Sequence, residues 1–222
     1  MNRSIVWQVV AKDLFFMRWM IVGAIVAGAG ALAVMPQGRV PGYVGAVSLI
    51  CTLIVLLIFL VMGPIVQERK DKVLLFVLSL PISTTQYTAA KVIANLIAFG
   101  VPWLALTIGT FAVVAMSQIP DGVLPFWTAV MGYMFFYYCA LLAVGLLSDS
   151  AGWHAASIVT GNISVNFLIP FLLARPSLKG NMEGPAAIWS SDILAIVALE
   201  FALGIIALGA AFHVRTRKPD FV

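Results

Sequence analysis

Polar and apolar positions along this chain are segregated into long blocks rather than alternating. No charged residue falls between Arg18 and Arg39, Arg39 and Glu68, Lys91 and Asp121, Asp121 and Asp149, or Asp149 and Arg175. Each gap holds at least the roughly 20 residues that a helix needs to cross the hydrocarbon core of a bilayer. A sixth block, residues 193–212, is broken only by Glu200. Backbone polar groups in lipid must bond within their own segment, so such blocks form helices. Membrane β-barrel strands would alternate in polarity, and these blocks do not. The pattern predicts an all-α membrane protein with spans at 17–35, 43–66, 92–116, 124–147, 153–173 and 191–212, forming one transmembrane domain over residues 1–222.

Composition agrees. The chain is 62% hydrophobic and 10% charged, with a mean hydropathy of +1.06. A soluble domain of this length would carry far more charge on its surface. The net charge of +4 is unevenly distributed. With the N-terminus inside, ten of the Lys and Arg residues fall on inner segments. Only Arg39, Arg175 and Lys179 fall on outer ones. The positive-inside rule then puts both termini in the cytoplasm. The basic excess needs no nucleic-acid partner. Cys51 and Cys139 both fall inside spans, where buried thiols are expected rather than a disulfide. Ala31, Leu32 and Ala33 resemble a signal-cleavage site, but Trp7 and Asp13 sit in an over-long leading segment, which argues against a signal peptide.

Two segments outside the spans are also helical in pattern. In residues 4–18, Ile5, Val9 and Leu14 alternate with Gln8, Lys12 and Asp13. This predicts an amphipathic interfacial helix ahead of the first span, with Trp7 and Trp19 at headgroup level. The alternative is a first span that starts early. After the second span come Glu68, Arg69, Lys70, Asp71 and Lys72, then an apolar run over 73–80 that is too short to cross a bilayer. Residues 68–80 therefore read as a short helix on the cytoplasmic face, supported by Glu68 and Lys72 one turn apart. Pro81 stops it, and Ser83 or Thr84 can cap the helix that follows.

The chemistry of an enzyme is hard to find. There is no Gly-x-x-x-x-Gly-Lys-[Ser/Thr] phosphate loop, no His-Glu-x-x-His and no Cys-x-x-Cys. His154 and His213 stand apart from one another in the chain. Glu200 is the clear intramembrane acid, near the midplane of the sixth span, and an acid there is costly. It either lines a path or joins helices through hydrogen bonds. Asn162 and Asn166 share a face of the fifth span, where they either line a path or bond to neighbouring helices. Tyr133 and Tyr137 form a similar pair in the fourth span, read first as aromatic packing. Gly23, Gly28 and Gly30 would let another helix approach the first span closely.

The stretch from Glu68 through Leu80, Pro81, Ile82 and Ser83, followed by Tyr87 and Lys91, resembles the signature of the type-2 ATP-binding-cassette (ABC) exporter permeases. That signature has an acid-basic start after the second span, an apolar helix, Leu-Pro-[Val/Ile]-Ser, an aromatic, and a Lys opening the third span. Elsewhere the likeness is one of layout. The resemblance implies that residues 68–80 are a coupling helix docked on a separate ATPase, with Glu68 and Arg69 making polar contacts and Leu75, Phe76 and Leu80 filling a groove. It also implies two ATPase copies, a second permease copy or paralogue, and ATP and Mg bound by the ATPase rather than by this chain. The N-terminal amphipathic helix would correspond to the family's connecting helix. The implied location is the inner membrane of a bacterial or archaeal cell, and the implied cargo an amphipathic or hydrophobic molecule moving outward. A secondary transporter using Glu200, and a membrane-embedded enzyme, are the rival readings.

Overall fold

The computed structural model describes residues 3–63, 83–148 and 150–217, with side chains described from residue 6 onward and for all but Thr84 thereafter. Among these the regular structure is helical throughout. Six helices are long and apolar enough to cross a membrane. They are α1 (Arg3–Val34), α2 (Arg39–Val61), α3 (Thr84–Met116), α4 (Leu124–Leu147), α5 (Ala151–Leu173) and, after the one-turn helix α6 (Pro176–Lys179), α7 (Ser191–Arg217). The six expected spans each map onto one of these helices. The fourth coincides in its bounds, the first runs well beyond the expected start, and the third begins at the cap expected at Ser83, ahead of the expected span.

Residues 4–18 do not form an element of their own. They are the first half of an unbroken 32-residue α1. At 1.5 Å per residue this helix is about 48 Å long, more than the hydrocarbon core requires. Trp7 and Trp19, both exposed, are consequently about 18 Å apart along one axis. Likewise α3 begins at Thr84, seven residues before Lys91. Ser83 is its N-cap, accepting from the Gln86 backbone N–H at 3.3 Å while its own N–H donates to Gln86 Oε1 at 3.3 Å. This capping box satisfies donors that the first turn would otherwise leave unpaired.

Neighbour pairs reveal the topology. Asp13 meets Lys91, and Gly28 meets Leu106, so α1 and α3 run parallel. Glu200 packs on Gly132, and Gly204 on Phe136 and Cys139, so α4 and α7 also run parallel. Trp103 reaches Met131 and Asn95 reaches Tyr138, so α3 and α4 are antiparallel. Alternating crossings follow, and Arg3 and Arg217 lie at the same end of the bundle. The turn from α1 into α2 is made by a 3-10 turn over Met35–Gln37 and by Gly38 at φ 130°, a conformation that side chains with a Cβ rarely adopt.

The most enclosed helix is α4, packed by α2, α3, α5 and α7. In contrast, α5 and α7 leave most of their surfaces open, as lipid-facing helices do. Of the three glycines singled out in the first span, Gly28 is the one in close contact, against the Leu106 side chain, whereas Gly23 and Gly30 have open space beside them. A tighter glycine contact joins α4 and α5. A Cβ on Gly161 of α5 would overlap the Tyr137 ring of α4. Gly161→Leu is therefore expected to part α4 from α5 and lower stability by about 1–3 kcal/mol. Gly23→Ala should be neutral or slightly stabilising, since alanine favours helix. Thermal unfolding of the two variants in detergent tests the contrast, and equal melting points would contradict it.

Candidate functional site

Polar side chains inside the bundle gather in two places. The first is at the end carrying the chain termini. Val6, Val10, Asp13 and Met17 form one buried stripe on α1, so Asp13 occupies a core position. The Lys91 ammonium meets its carboxylate at 2.8 Å, with the two side chains only 4% and 1% exposed. Lys12 stands 3.5 Å from the same carboxylate on its exposed side. The Tyr87 ring flanks Lys91, with the ammonium 5.6 Å from the ring centre.

From Lys91 the network continues into α4. Asn95 Nδ2 donates to the Lys91 carbonyl at 3.0 Å, one turn back. Tyr138 Oη donates to the Asn95 carbonyl at 2.7 Å and lies 3.4 Å from Asn95 Oδ1. The Tyr138 ring stacks on Phe99, with centres 4.1 Å apart. Asn95, Phe99 and Tyr138 are all fully buried. One chain of contacts thus ties α1, α3 and α4 together just inside the start of α3.

The second gathering is near mid-bundle. Glu200 of α7 is 7% exposed and lies over Gly132 of α4. Its Oε2 has no hydrogen-bond partner among the described residues. Beside it, Trp103, Phe135 and Phe201 form an aromatic cluster, with Phe135 and Phe201 stacked at 5.0 Å. Trp103 Nε1 donates to the Met131 carbonyl at 2.9 Å, fixing α3 to α4 at this level. Along the α4–α5 contact, Tyr133 hydrogen-bonds to Ser164 of α5. Tyr137 Oη donates to the Ile158 carbonyl at 3.0 Å, and Asn162 Nδ2 lies 3.4 Å from that hydroxyl.

The expected path residues therefore divide. Tyr133, Tyr137 and Asn162 come together along the α4–α5 seam. Their polar atoms bind helix to helix, so hydrogen bonding joins the aromatic packing expected of the tyrosines. Glu200 lies on the neighbouring α4–α7 seam, over Gly132. Asn166 points outward and bonds back to the Asn162 carbonyl at 2.9 Å. The coupling residues Glu68, Arg69, Leu75, Phe76 and Leu80 lie outside the described residues. Among the described residues no cluster of three or more His, Cys, Asp or Glu could hold a metal ion. His154 is buried near the start of α5, and His213 lies near the end of α7.

Sequence reading missed the Asp13–Lys91 pair. The signal was present, since Asp13 falls at helical spacing between Val10 and Met17, where only a paired acid is tolerated. No protein-family profile, curated protein or solved structure matches the chain. The physical arrangement of the residues is therefore what bears on function.

Removing one partner of a buried pair leaves an uncompensated charge. Asp13→Ala and Lys91→Ala should each destabilise the protein by about 3–5 kcal/mol. The double variant Asp13→Ala, Lys91→Ala should lose less than the sum of the two single ones. A double-mutant cycle on unfolding midpoints in detergent measures this coupling. Additive losses would mean that the two charges do not act as a pair.

Proposed function

We propose that the chain is the permease subunit of an ABC exporter, moving an amphipathic or hydrophobic molecule outward with ATP hydrolysed by a separate subunit. The observation that carries this reading is the sequence of residues 68–91. Its acid-basic start, apolar run, Leu80, Pro81, Ile82 and Ser83 motif, Tyr87 and Lys91 resemble the coupling segment of type-2 ABC permeases. The likeness is local and supplies an analogy of mechanism.

The geometry around Lys91 supports the analogy. A coupling segment is useful only if a force on it reaches the spans. Residue 83 begins a capped, rigid helix. Within its first three turns that helix is pinned to α1 through Asp13 and to α4 through Tyr138. An ATPase docked on residues 68–80 would thus act on three spans through one buried network. In this reading Glu68 and Arg69 meet the ATPase, Leu75, Phe76 and Leu80 fill its groove, and both termini face the cytoplasm of a bacterial or archaeal cell.

The outer face of α5 supports a second permease copy. Thr160 and Asn166 are exposed there among Val159, Ile163 and Phe167. Polar side chains turned to lipid are disfavoured, and a neighbouring helix relieves that cost. The unpartnered Glu200 oxygen keeps the secondary-transporter reading in view, because an intramembrane acid is the residue such a mechanism would use.

Co-purification tests the proposal. The chain expressed with its cognate ATPase should retain it through affinity purification, and Glu68→Ala with Arg69→Ala should abolish both retention and ATP-driven transport. Absence of a bound ATPase, or full retention in the double variant, removes the exporter reading. Glu200→Gln separates the rival. An exporter should keep ATP-driven transport, whereas an ion-coupled carrier should lose its dependence on an imposed proton gradient.

A further inference from the structure

At the end of the bundle away from the chain termini, three connections converge on a cleft. They are the turn from α1 to α2, the turn before α4, and the loop after α6. The loop is a folded wall rather than a loose strap. Leu178 is buried, and the Gly122 N–H donates to the Gly184 carbonyl at 3.1 Å. Ser177 Oγ donates to Asp192 Oδ2 at 2.7 Å, and Asn181 Nδ2 to the Ser177 carbonyl at 2.8 Å. These bonds fix the loop to the turn before α4 and to the start of α7.

Two adjoining hollows of ≈ 670 Å³ and ≈ 650 Å³ share Arg39, Pro120, Val123 and Met182. Their linings differ in character. One is lined by Met35 of the α1–α2 turn, Tyr43 of α2 and Trp127 of α4, and the other by Arg39, Lys179 and Glu183. Arg39 and Lys179 are exposed, and neither forms an ion pair among the described residues, Glu183 included. Arg175, the third cation at this end, lies outside both hollows, with its guanidinium stacked 4.3 Å over Phe171. An apolar floor that continues into the spans, beneath two uncompensated cations at the level where the helices end, matches one kind of molecule. It has an anionic head and an apolar tail.

We propose that this cleft binds an anionic phospholipid of the adjacent leaflet. Its phosphate sits between Arg39 and Lys179, and part of an acyl chain lies along Met35, Met182 and Trp127. Arg39 supplies a planar fork suited to phosphate oxygens. Lys179 supplies a point charge from the opposite wall, and Glu183 limits the net attraction. The site needs only that the six helices lie in a bilayer. It stands or falls separately from the ATPase partner.

The full-length chain, purified in a neutral detergent and delipidated, is titrated with phosphatidylglycerol or phosphatidylcholine, and bound lipid is counted by native mass spectrometry. Phosphatidylglycerol is expected to bind at least about tenfold more tightly. Arg39→Gln with Lys179→Gln should abolish that preference without changing the unfolding midpoint, since both residues are exposed. Arg175→Gln should preserve the preference, and Glu183→Gln should preserve or sharpen it. The proposal is overturned by equal binding of the two lipids, or by an unchanged preference in the double variant. An equal loss in Arg175→Gln would also overturn it, as this would signal general surface charge. Displacement of phosphatidylglycerol by an equal concentration of inorganic phosphate would overturn the lipid assignment too, leaving a site for the anion alone.

Discussion

The buried contact between Asp13 and Lys91 is the constraint on which the arrangement of the bundle rests. Neither charge can be left alone in an apolar interior, because desolvation of a lone ion costs several kcal/mol. Each therefore dictates where the other's helix lies. The contact holds the first half of α1 against the start of α3. The segment read as interfacial and the first span are one continuous helix, and its acid has a partner inside the bundle. From the same lysine the hydrogen bonds run on through Asn95 to Tyr138, so α4 inherits its register from the pair.

Further along the helices small residues replace charges as the means of close packing. Gly28 lets α1 take the Leu106 side chain, and Gly132 accommodates Glu200. Gly161 accepts the Tyr137 ring, and this brings the Tyr137 hydroxyl within reach of the α5 backbone. These contacts are dispersive and short-range, and in lipid they are a main source of helix association. The outcome is two parallel pairs, α1 with α3 and α4 with α7, joined across the α3–α4 seam by Tyr138 and Trp103. The fifth helix holds chiefly to α4 and otherwise faces outward.

The spans were legible because their signal is one-dimensional. A run of twenty apolar residues needs no knowledge of neighbours, and the fourth helix was located to the residue. What lay hidden depends on pairs distant in sequence. An unpaired charge marks the edge of a span, but a paired one such as Lys91 sits about two turns inside its helix. Asp13 stands among the polar residues of its segment, yet its spacing from Val10 and Met17 places it on the buried face. Tyr133 and Tyr137 were recognised as one face of α4, but periodicity does not say which backbone their hydroxyls will meet. Asn162 and Asn166 share a helix side only loosely. A hundred-degree step per residue leaves i,i+4 positions offset by about 40°, enough for one to face Tyr137 and the other to face outward.

The two ends of the bundle differ in how they would respond to a load. A displacement entering at Ser83 meets a capped helix whose first turns are tied by an ion pair and by hydrogen bonds, all shielded from water. Electrostatic contacts in such surroundings are stiff, since no solvent competes for them. The load would therefore pass to α1 and α4 with little loss. At the far end the connections are joined mainly by backbone and hydroxyl bonds around a hollow with two exposed cations. Those contacts hold the loop in place, but among the described residues no buried ion pair crosses that end. In an exporter driven from the side of the termini, this gradient of stiffness would turn a push near Ser83 into opening at the opposite end. The α3–α4 seam, crossed by Tyr138 and Trp103 at two depths, would serve as the lever between them.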